Sequence, residues 1–588
     1  MLPETSRPVI VALGFELGGF MGWLAGRGVL GTLMVATLFA PAAEARQRDP
    51  ASRPFYACDG FGPPVPSEDS DGATPVRTTW YVVAQEGDEG AAIFRPLSAG
   101  GRGIVACDIA LTDPRLLPKH RVRLLSLERA KALHRIEAGD PSGGLAALDK
   151  VQAASQALSS LWYDRSFGVG LDLARAYGLR RSGDGAGATR LTNEAAQRRP
   201  WDVSTLAAAQ VAMGDQHDPE TFARLERRLA ALDPHQLDLV FQRAWRERRY
   251  EDVVILGPQL VEPIREQLYI RTGAIVAADV TRSEAYWAER SGQRAYALAA
   301  LGREAEARVL IAAMRARAAS VADPAGGQVS DYYWIHEKET APFRPGIGAR
   351  LAPIIDVWAW LVDQRIRIAA NEVDGVIAAV TTSPPPADLA GLELLDAIQK
   401  SRPEQTGASA DYLRRLRATV ANRTSGQGLE PNAADLFITL PEIDLLSRIE
   451  GYKGAKARPG RYIAKELAPS SEAVVFRNQT HSGSPSIAGE LILLEAADYT
   501  LKAGKPAFVI VHRHDTRVGF NFGASPVQPG QVMRNDGYES ELMIMPVDLD
   551  ALPVFMEGSP WRALPAREIY DALFPIYDPQ VRKQAKKK

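Results

Sequence analysis

The sequence predicts a mainly α chain. The expected fold is a solenoid of stacked helical hairpins, with a small N-terminal disulfide-closed β segment before it and a C-terminal α/β (α+β) domain after it. Three observations carry this expectation. From His120 onward the texture turns to Ala, Leu and Arg, with turn glycines recurring at fixed offsets from alanines. The two cysteines, Cys58 and Cys107, both precede that region. After about residue 436 the apolar pattern changes to short β-like runs around one amphipathic helix. The 588 residues are 46% hydrophobic and 24% charged, a globular composition long enough for two to four domains. Lys plus Arg (69) nearly balances Asp plus Glu (71), so no electrostatic field gathers nucleic acid or an acidic membrane surface.

Residues 1–45 read as a signal peptide rather than as fold. Arg27 supplies the positive charge, Gly28 to Ala40 is apolar, and Ala43-Glu44-Ala45 has the small-x-small form of a cleavage site before Arg46. The apolar run is shorter than the about 20 residues a membrane span needs. An earlier apolar stretch from Val9 to Leu24 is interrupted by Glu16, so the start lies at Met1 or at Met21. The mature chain is expected to begin at Arg46, in the periplasm or outside the cell, with no stable membrane anchor after cleavage.

Residues 46–119 are rich in Pro, Gly, Asp and Thr. Thr78 to Ala84 and Ala92 to Arg95 read as a β-hairpin. Gly103 to Leu111 fits a strand or a helix start equally well. In an exported chain an isolated cysteine pair is most simply one disulfide. Cys58 and Cys107 are 49 positions apart. Closing such a loop stabilises by roughly 4 kcal/mol in the chain-entropy account. The segment carries too little apolar surface for its own core and is expected to lie on the first helices.

Residues 120–320 carry the repeats. Ala295 to Met314 shows a helix ending at Leu301, a turn at Gly302 and a second helix with Ala307 on its packing face. Ala176 to Pro200 keeps the same order, with Gly183 at the turn and Ala188 and Ala195 beyond it. Glu128 to Ala154 carries Ala132 and then Gly139-Asp140. Pro234 follows Pro200 by 34 residues. Antiparallel helices cross closely only where side chains are small, so Ala132, Ala176, Ala188, Ala295 and Ala307 are expected at crossings. The glycines supply the left-handed residue that ends a helix. On these residues the region resembles a degenerate tetratricopeptide (TPR-like) array. The resemblance implies pairs stacked so that each covers its neighbour's apolar face, and protein or peptide partners bound on the repeat surface.

Residues 321–435 read as further helical hairpins and a linker. Ile354, Val357, Trp358, Leu361 and Ile368 recur at helical spacing, Glu372 to Val380 forms a second helix, and Leu392, Leu395 and Ile398 mark a third. Asn422 to Asp435 is linker-like.

Residues 436–570 form the expected C-terminal α/β domain, and 571–588 a basic tail. Ser471 to Arg477, Ala507 to Arg513 and Leu542 to Met545 are strand candidates. Ser486 to Ala503 is a helix with Leu491, Leu494, Ala497 and Leu501 on one face, Ser486 as its N-cap and Gly504 as its C-terminal stop. The run from Leu491 to Val511 resembles a small domain of bacterial envelope lipoproteins of unknown function. The lipid-bearing cysteine of those proteins is missing here, so anchoring does not carry over, and the resemblance implies no activity.

Catalytic patterns give way to plainer readings. His336-Glu337 lacks the second histidine of a zinc-protease helix, and Gly183 to Thr189 lacks the lysine of a phosphate loop and sits at a repeat turn. Of eight histidines, His481, His512 and His514 fall in the C-terminal region. On a strand, positions 512 and 514 share a face with Cα atoms about 6.5–7 Å apart. With His481 or Asp515 they are the weak metal candidates, and the plainer reading is the polar end of an edge strand. No catalytic residue and no cofactor is assigned. The expectation is a non-enzymatic binding scaffold, from which the C-terminal domain can be removed without loss of partners. The alternative is a periplasmic hydrolase or metal-binding protein with its site in the C-terminal domain.

Overall fold

The computed structural model describes residues 53–60, 100–158, 160–214, 218–260, 273–322, 344–386, 388–403, 408–425, 436–437, 440, 460–463, 472–480, 485–522 and 531–577. The chain divides into a unit ending at Arg53 and a compact unit from Pro54 to Lys588. The signal-peptide segment, the hairpin expected at 78–95, His336, His481 and the basic tail from 578 onward lie outside the described residues.

The described residues are mainly helical, with a small antiparallel sheet near the C-terminus. Helices α1 (Arg53–Asp59) and α2 (Gly101–Leu111) come first. The ambiguous stretch at 103–111 is therefore helix. Then follow α3 (Arg121–Glu137), α4 (Pro141–Ser155), α5 (Leu161–Arg165), α6 (Phe167–Arg181), α7 (Gly185–Arg198), α8 (Val203–Met213) and α9 (Pro219–Leu232). After a 3-10 turn at Pro234–Gln236 come α10 (Leu237–Arg246), α11 (Tyr250–Leu256), α12 (Gly273–Ala300) and α13 (Glu304–Ala322). Helices α14 (Arg344–Ala369), α15 (Val373–Thr382), α16 (Leu389–Ser401) and α17 (Ala408–Ser425) complete the series.

One turn recurs between these helices. Gly139, Gly183, Arg248, Gly302 and Asn371 all have positive φ, from 59° to 91°. At each, that residue's N–H donates three residues back and the next N–H donates five back: Gly139 to Ile136 and Asp140 to Arg135, then likewise at 183–184, 248–249, 302–303 and 371–372. This double bond stops a helix by satisfying carbonyls that would otherwise lack partners. The residue after the turn begins the next helix. Asp140 and Asp184 accept from the N–H of Gly143 and Gly187 at 2.9 and 2.8 Å. Three-residue connections thus join α3 to α4, α6 to α7, α10 to α11, α12 to α13, and α14 to α15.

Small residues sit where these helices meet. Ala132, Ala176, Ala188, Ala295 and Ala307 are fully buried. A Cβ on Gly144 or on Gly178 would run into Ile136, so α4 and α6 both approach α3 closely around that one side chain.

The sheet has strand order β1-β2-β4-β3-β5: β1 (Gly460–Ile463), β2 (Glu472–Thr480), β3 (Ala507–Phe522), β4 (Gln531–Val547) and β5 (Leu564–Pro565). All neighbours are antiparallel, as in an α+β arrangement. Helix α18 (Pro485–Lys502) connects β2 to β3, and α19 (Ala566–Tyr577) follows β5. Ser486 is buried inside α18 rather than capping it, because the helix starts one residue earlier at Pro485. Gly504 (φ 73°) does stop it. Of the expected stripe at 491, 494, 497 and 501, Ala497 is fully buried and Leu491, Leu494 and Leu501 are half-buried. Ile487, Ala488, Glu490, Ile492, Leu493, Ala496, Ala497 and Thr500 are buried. The helix is covered by the sheet on one side and by α8 and α19 on others, so a single apolar stripe does not describe it. Likewise Ala507 through Val511 are all buried. Phe508 and Ile510 join the core shared with α18, while Ala507, Val509 and Val511 pack with Met545, Val547 and Met556.

Two large cores result. The first joins Leu206, Met213 and Leu229 of the hairpin region to Ile487, Leu493 and Leu573 of α18 and α19. The second lies within α9 to α17 and contains Trp245, Tyr296, Trp358 and Leu394.

Candidate functional site

Three closed polar clusters hold the molecule together. The first fixes the N-terminal helices. Cys58 and Cys107 are bonded, with S–S 2.09 Å and Cα atoms 4.8 Å apart. Beside the bond Arg123 pairs with Asp59 through both guanidinium ends, one at 2.9 Å. Arg115 and Arg123 lie over the buried Phe55 ring at 5.5 and 5.6 Å. His134 of α3 donates from Nε2 to the Cys58 carbonyl at 2.7 Å. Its ring packs 4.9 Å from that of Phe437. Burial holds the His134 pKa below its ordinary value despite the carbonyl and the nearby Asp59 and Glu137 charges.

The second cluster lies in the shared core. Glu490, near the start of α18, is fully buried. Its Oε1 accepts from Arg165 Nη2 at 2.8 Å and from Arg199 Nε at 2.9 Å; Oε2 accepts from Arg199 Nη2 at 3.2 Å and from the Tyr577 hydroxyl. Arg199 also donates to the Arg165 carbonyl at 3.0 Å and lies 3.7 Å from Asp202. Two guanidinium groups thus face two carboxylates, and charge balances. Burial pushes the Glu490 carboxyl up, but Arg199 and Arg165 outweigh it and hold the group below the usual carboxylate range. Burial and the Glu490 charge push the Tyr577 hydroxyl the other way.

The third cluster lies in the second core. Tyr250 and Tyr296 both donate to Glu393 of α16. Trp245 packs edge-on to Tyr296 at 5.6 Å and to Trp358 at 6.0 Å. Trp358 donates to Glu289 at 2.8 Å. Burial and the Glu393 charge raise both tyrosine pKa values. A Cβ on Gly292 would strike the Trp358 ring, so α12 and α14 touch there.

The polar groups of these clusters face one another inside the two cores. A depression over the α12–α13 turn, lined by Gly302, Arg303, Glu304 and Arg308, is open to solvent. There Arg303 pairs with Glu306 and Arg308 with Glu304, leaving a surface of ordinary ion pairs.

Of the C-terminal metal candidates, His512 and Asp515 have described side chains. Asp515 accepts from Arg513 Nε at 2.8 Å and from Ser540 Oγ at 2.5 Å. His512 is half-buried against His235, from the turn after α9, with ring centroids 6.2 Å apart at 73°. His514 lies on β3 opposite Glu541, and its side chain is outside the described residues. Among the described residues no group of three His, Cys, Asp or Glu is arranged around a metal, and no helix is long and apolar enough to cross a membrane. No family model, no curated protein and no solved structure matches the chain.

Sequence reasoning passed over Glu490, Arg165, Arg199, Tyr577, Glu393 and His235. One signal was present: Glu490 stands in an otherwise apolar run, Ile487-Ala488-Gly489-Glu490-Leu491-Ile492, where a charge needs a partner.

Proposed function

We propose that the chain is an exported helical-repeat scaffold that binds protein or peptide partners in the cell envelope and performs no catalysis of its own. The observation that carries this reading is the five-fold recurrence of one hairpin turn from Gly139 to Asn371. Stacked pairs of this kind make a solenoid whose helix faces offer an extended surface. The clusters around Glu490 and Glu393 support it too, since each spends its polar groups on internal partners. The signal-like segment 1–45 and the disulfide suit an oxidising compartment.

Helices α6 and α8 are buried on nearly every side, and α18 and α19 share their core. Large apolar side chains stand exposed in both halves of the chain, Ile109 of α2 and Leu161 of α5 in the first, Val309 of α13 and Val357 of α14 in the second. On this reading the partner surface includes the α13–α14 face, where Val309 is the most exposed of these four side chains. The test is capture from a periplasmic extract with the mature protein, compared with Val309→Asp and Val357→Asp. A partner retained by the parent and lost by these folded variants is expected. An identical captured set, or none from the parent, overturns the reading. N-terminal sequencing of the secreted product tests export, with Arg46 expected as the first residue.

A further inference from the structure

We propose that His134 is an acid-operated latch, whose protonation releases Leu436, Phe437 and Leu440 from the N-terminal helices. The imidazole is 1% exposed and touches three separate parts of the chain. Its Nε2 donates to the Cys58 carbonyl of α1 at 2.7 Å. Its Nδ1 edge lies against α2, where a Cβ on Gly103 would run into that nitrogen. The Phe437 ring packs on it at 4.9 Å. Nδ1 has no hydrogen-bond partner among the described residues.

The neutral ring fits this place and the charged one does not. With its single proton on Nε2, a neutral imidazole leaves Nδ1 as an acceptor. Protonation turns Nδ1 into a donor with nothing to receive its bond, and puts a positive charge where water does not reach. The charges facing the ring are Asp59 of α1, already paired with Arg123, and Glu137 of its own helix, which accepts from the Tyr177 hydroxyl. Gly103 of α2 and Phe437 are uncharged. The two carboxylates favour the proton, yet burial outweighs them and holds the pKa down. Relief comes from the side that can move. Helices α1 and α2 are joined by the Cys58–Cys107 bond, and the Asp59–Arg123 pair ties α1 to α3. Leu436, Phe437 and Leu440 pack into the same core without a cross-link to it. The acid form therefore opens the core at Phe437 and lets water reach the ring.

The test is hydrogen–deuterium exchange of the full-length protein at pH 7.5 and 5.5, corrected for intrinsic rates. It is read in the peptide spanning 436–440, where the Leu440 N–H donates to the Leu436 carbonyl. A released ring regains its ordinary pKa of about 6.5. Opening should then become up to about tenfold more frequent over that interval. A peptide from α12, inside the second core, should not change. His134→Gln keeps an N–H for the Cys58 carbonyl but does not titrate, so its 436–440 peptide should exchange alike at both pH values. No rise in the parent, the same rise in His134→Gln, or an equal rise in α12 overturns the proposal. If His134→Gln fails to fold, the two peptides of the parent decide it: a rise confined to 436–440 is expected, and no rise or a shared one overturns the latch.

Discussion

Glu490 shows how one residue joins distant parts of this chain. Its carboxylate collects Arg165, Arg199 and Tyr577 in a core that water does not reach. Removing the carboxylate takes a buried ionic partner from both guanidinium groups, which costs about 3–5 kcal/mol. Glu490→Ala is expected to lower the denaturant midpoint accordingly, whereas an exposed substitution such as Glu306→Ala should leave it unchanged. The folded carboxyl is held below its ordinary range. Its contribution is therefore complete above the unfolded pKa of about 4.3 and is lost as pH falls through the folded value. His134 acts at higher pH. Its folded pKa is depressed by burial, so the unfolded chain binds this proton more readily. Stability is then greatest above the unfolded pKa of about 6.5 and declines as pH drops below it. Denaturation at pH 7.5 and 5.5 should show this loss in the parent and a smaller one in His134→Gln. The alanines and cysteines were legible at this scale because size and redox chemistry are properties of a residue type. The Glu490 partners were not, since their positions along the chain say nothing of who meets whom.

At the level of elements, the turn explains both what sequence reading found and what it missed. Gly139, Gly183 and Gly302 announced themselves because glycine adopts positive φ without strain. Arg248 and Asn371 make the same turn without glycine, so the hairpins α10–α11 and α14–α15 left no comparable mark. A Cβ at Gly183 would meet nothing within 4 Å. Gly183→Ala therefore isolates the backbone term, with an expected loss of about 1–2 kcal/mol in chemical denaturation. Ala307→Leu tests packing instead, since Ala307 is fully buried. Overpacking there should cost roughly 1–3 kcal/mol. Helix α18 was located by its pattern, yet its buried face was misread. Amphipathic periodicity assumes one dry side, and this helix has more than one.

Across the whole molecule, core boundaries do not follow the change in sequence texture at residue 436. Local patterns registered the shift from helix to strand, but nothing local encodes that Leu206 and Met213 pack with Leu493 and Leu573. The expectation that the C-terminal part can be removed without loss does not fit this packing. Truncating residues 436–588 strips α8 of buried partners and leaves Arg165 and Arg199 without Glu490. The expected product aggregates or melts at much lower temperature than the parent. A truncated chain that melts cooperatively near the parental temperature would show instead that the hairpins hold their own.

The bond between Cys58 and Cys107 also fixes how the chain is connected once it has been cut. A break at Arg77 falls inside the closed loop, so the two pieces remain one covalent molecule. A protein carrying an engineered protease site there should run after cleavage as a single species on a non-reducing denaturing gel and separate into two only with reductant. Fragments that part without reductant would mean that the sulfurs were never joined. Peptide-backbone continuity and molecular continuity are thus different properties in this segment, and a nick there is invisible to any measurement of mass that leaves sulfur–sulfur bonds intact.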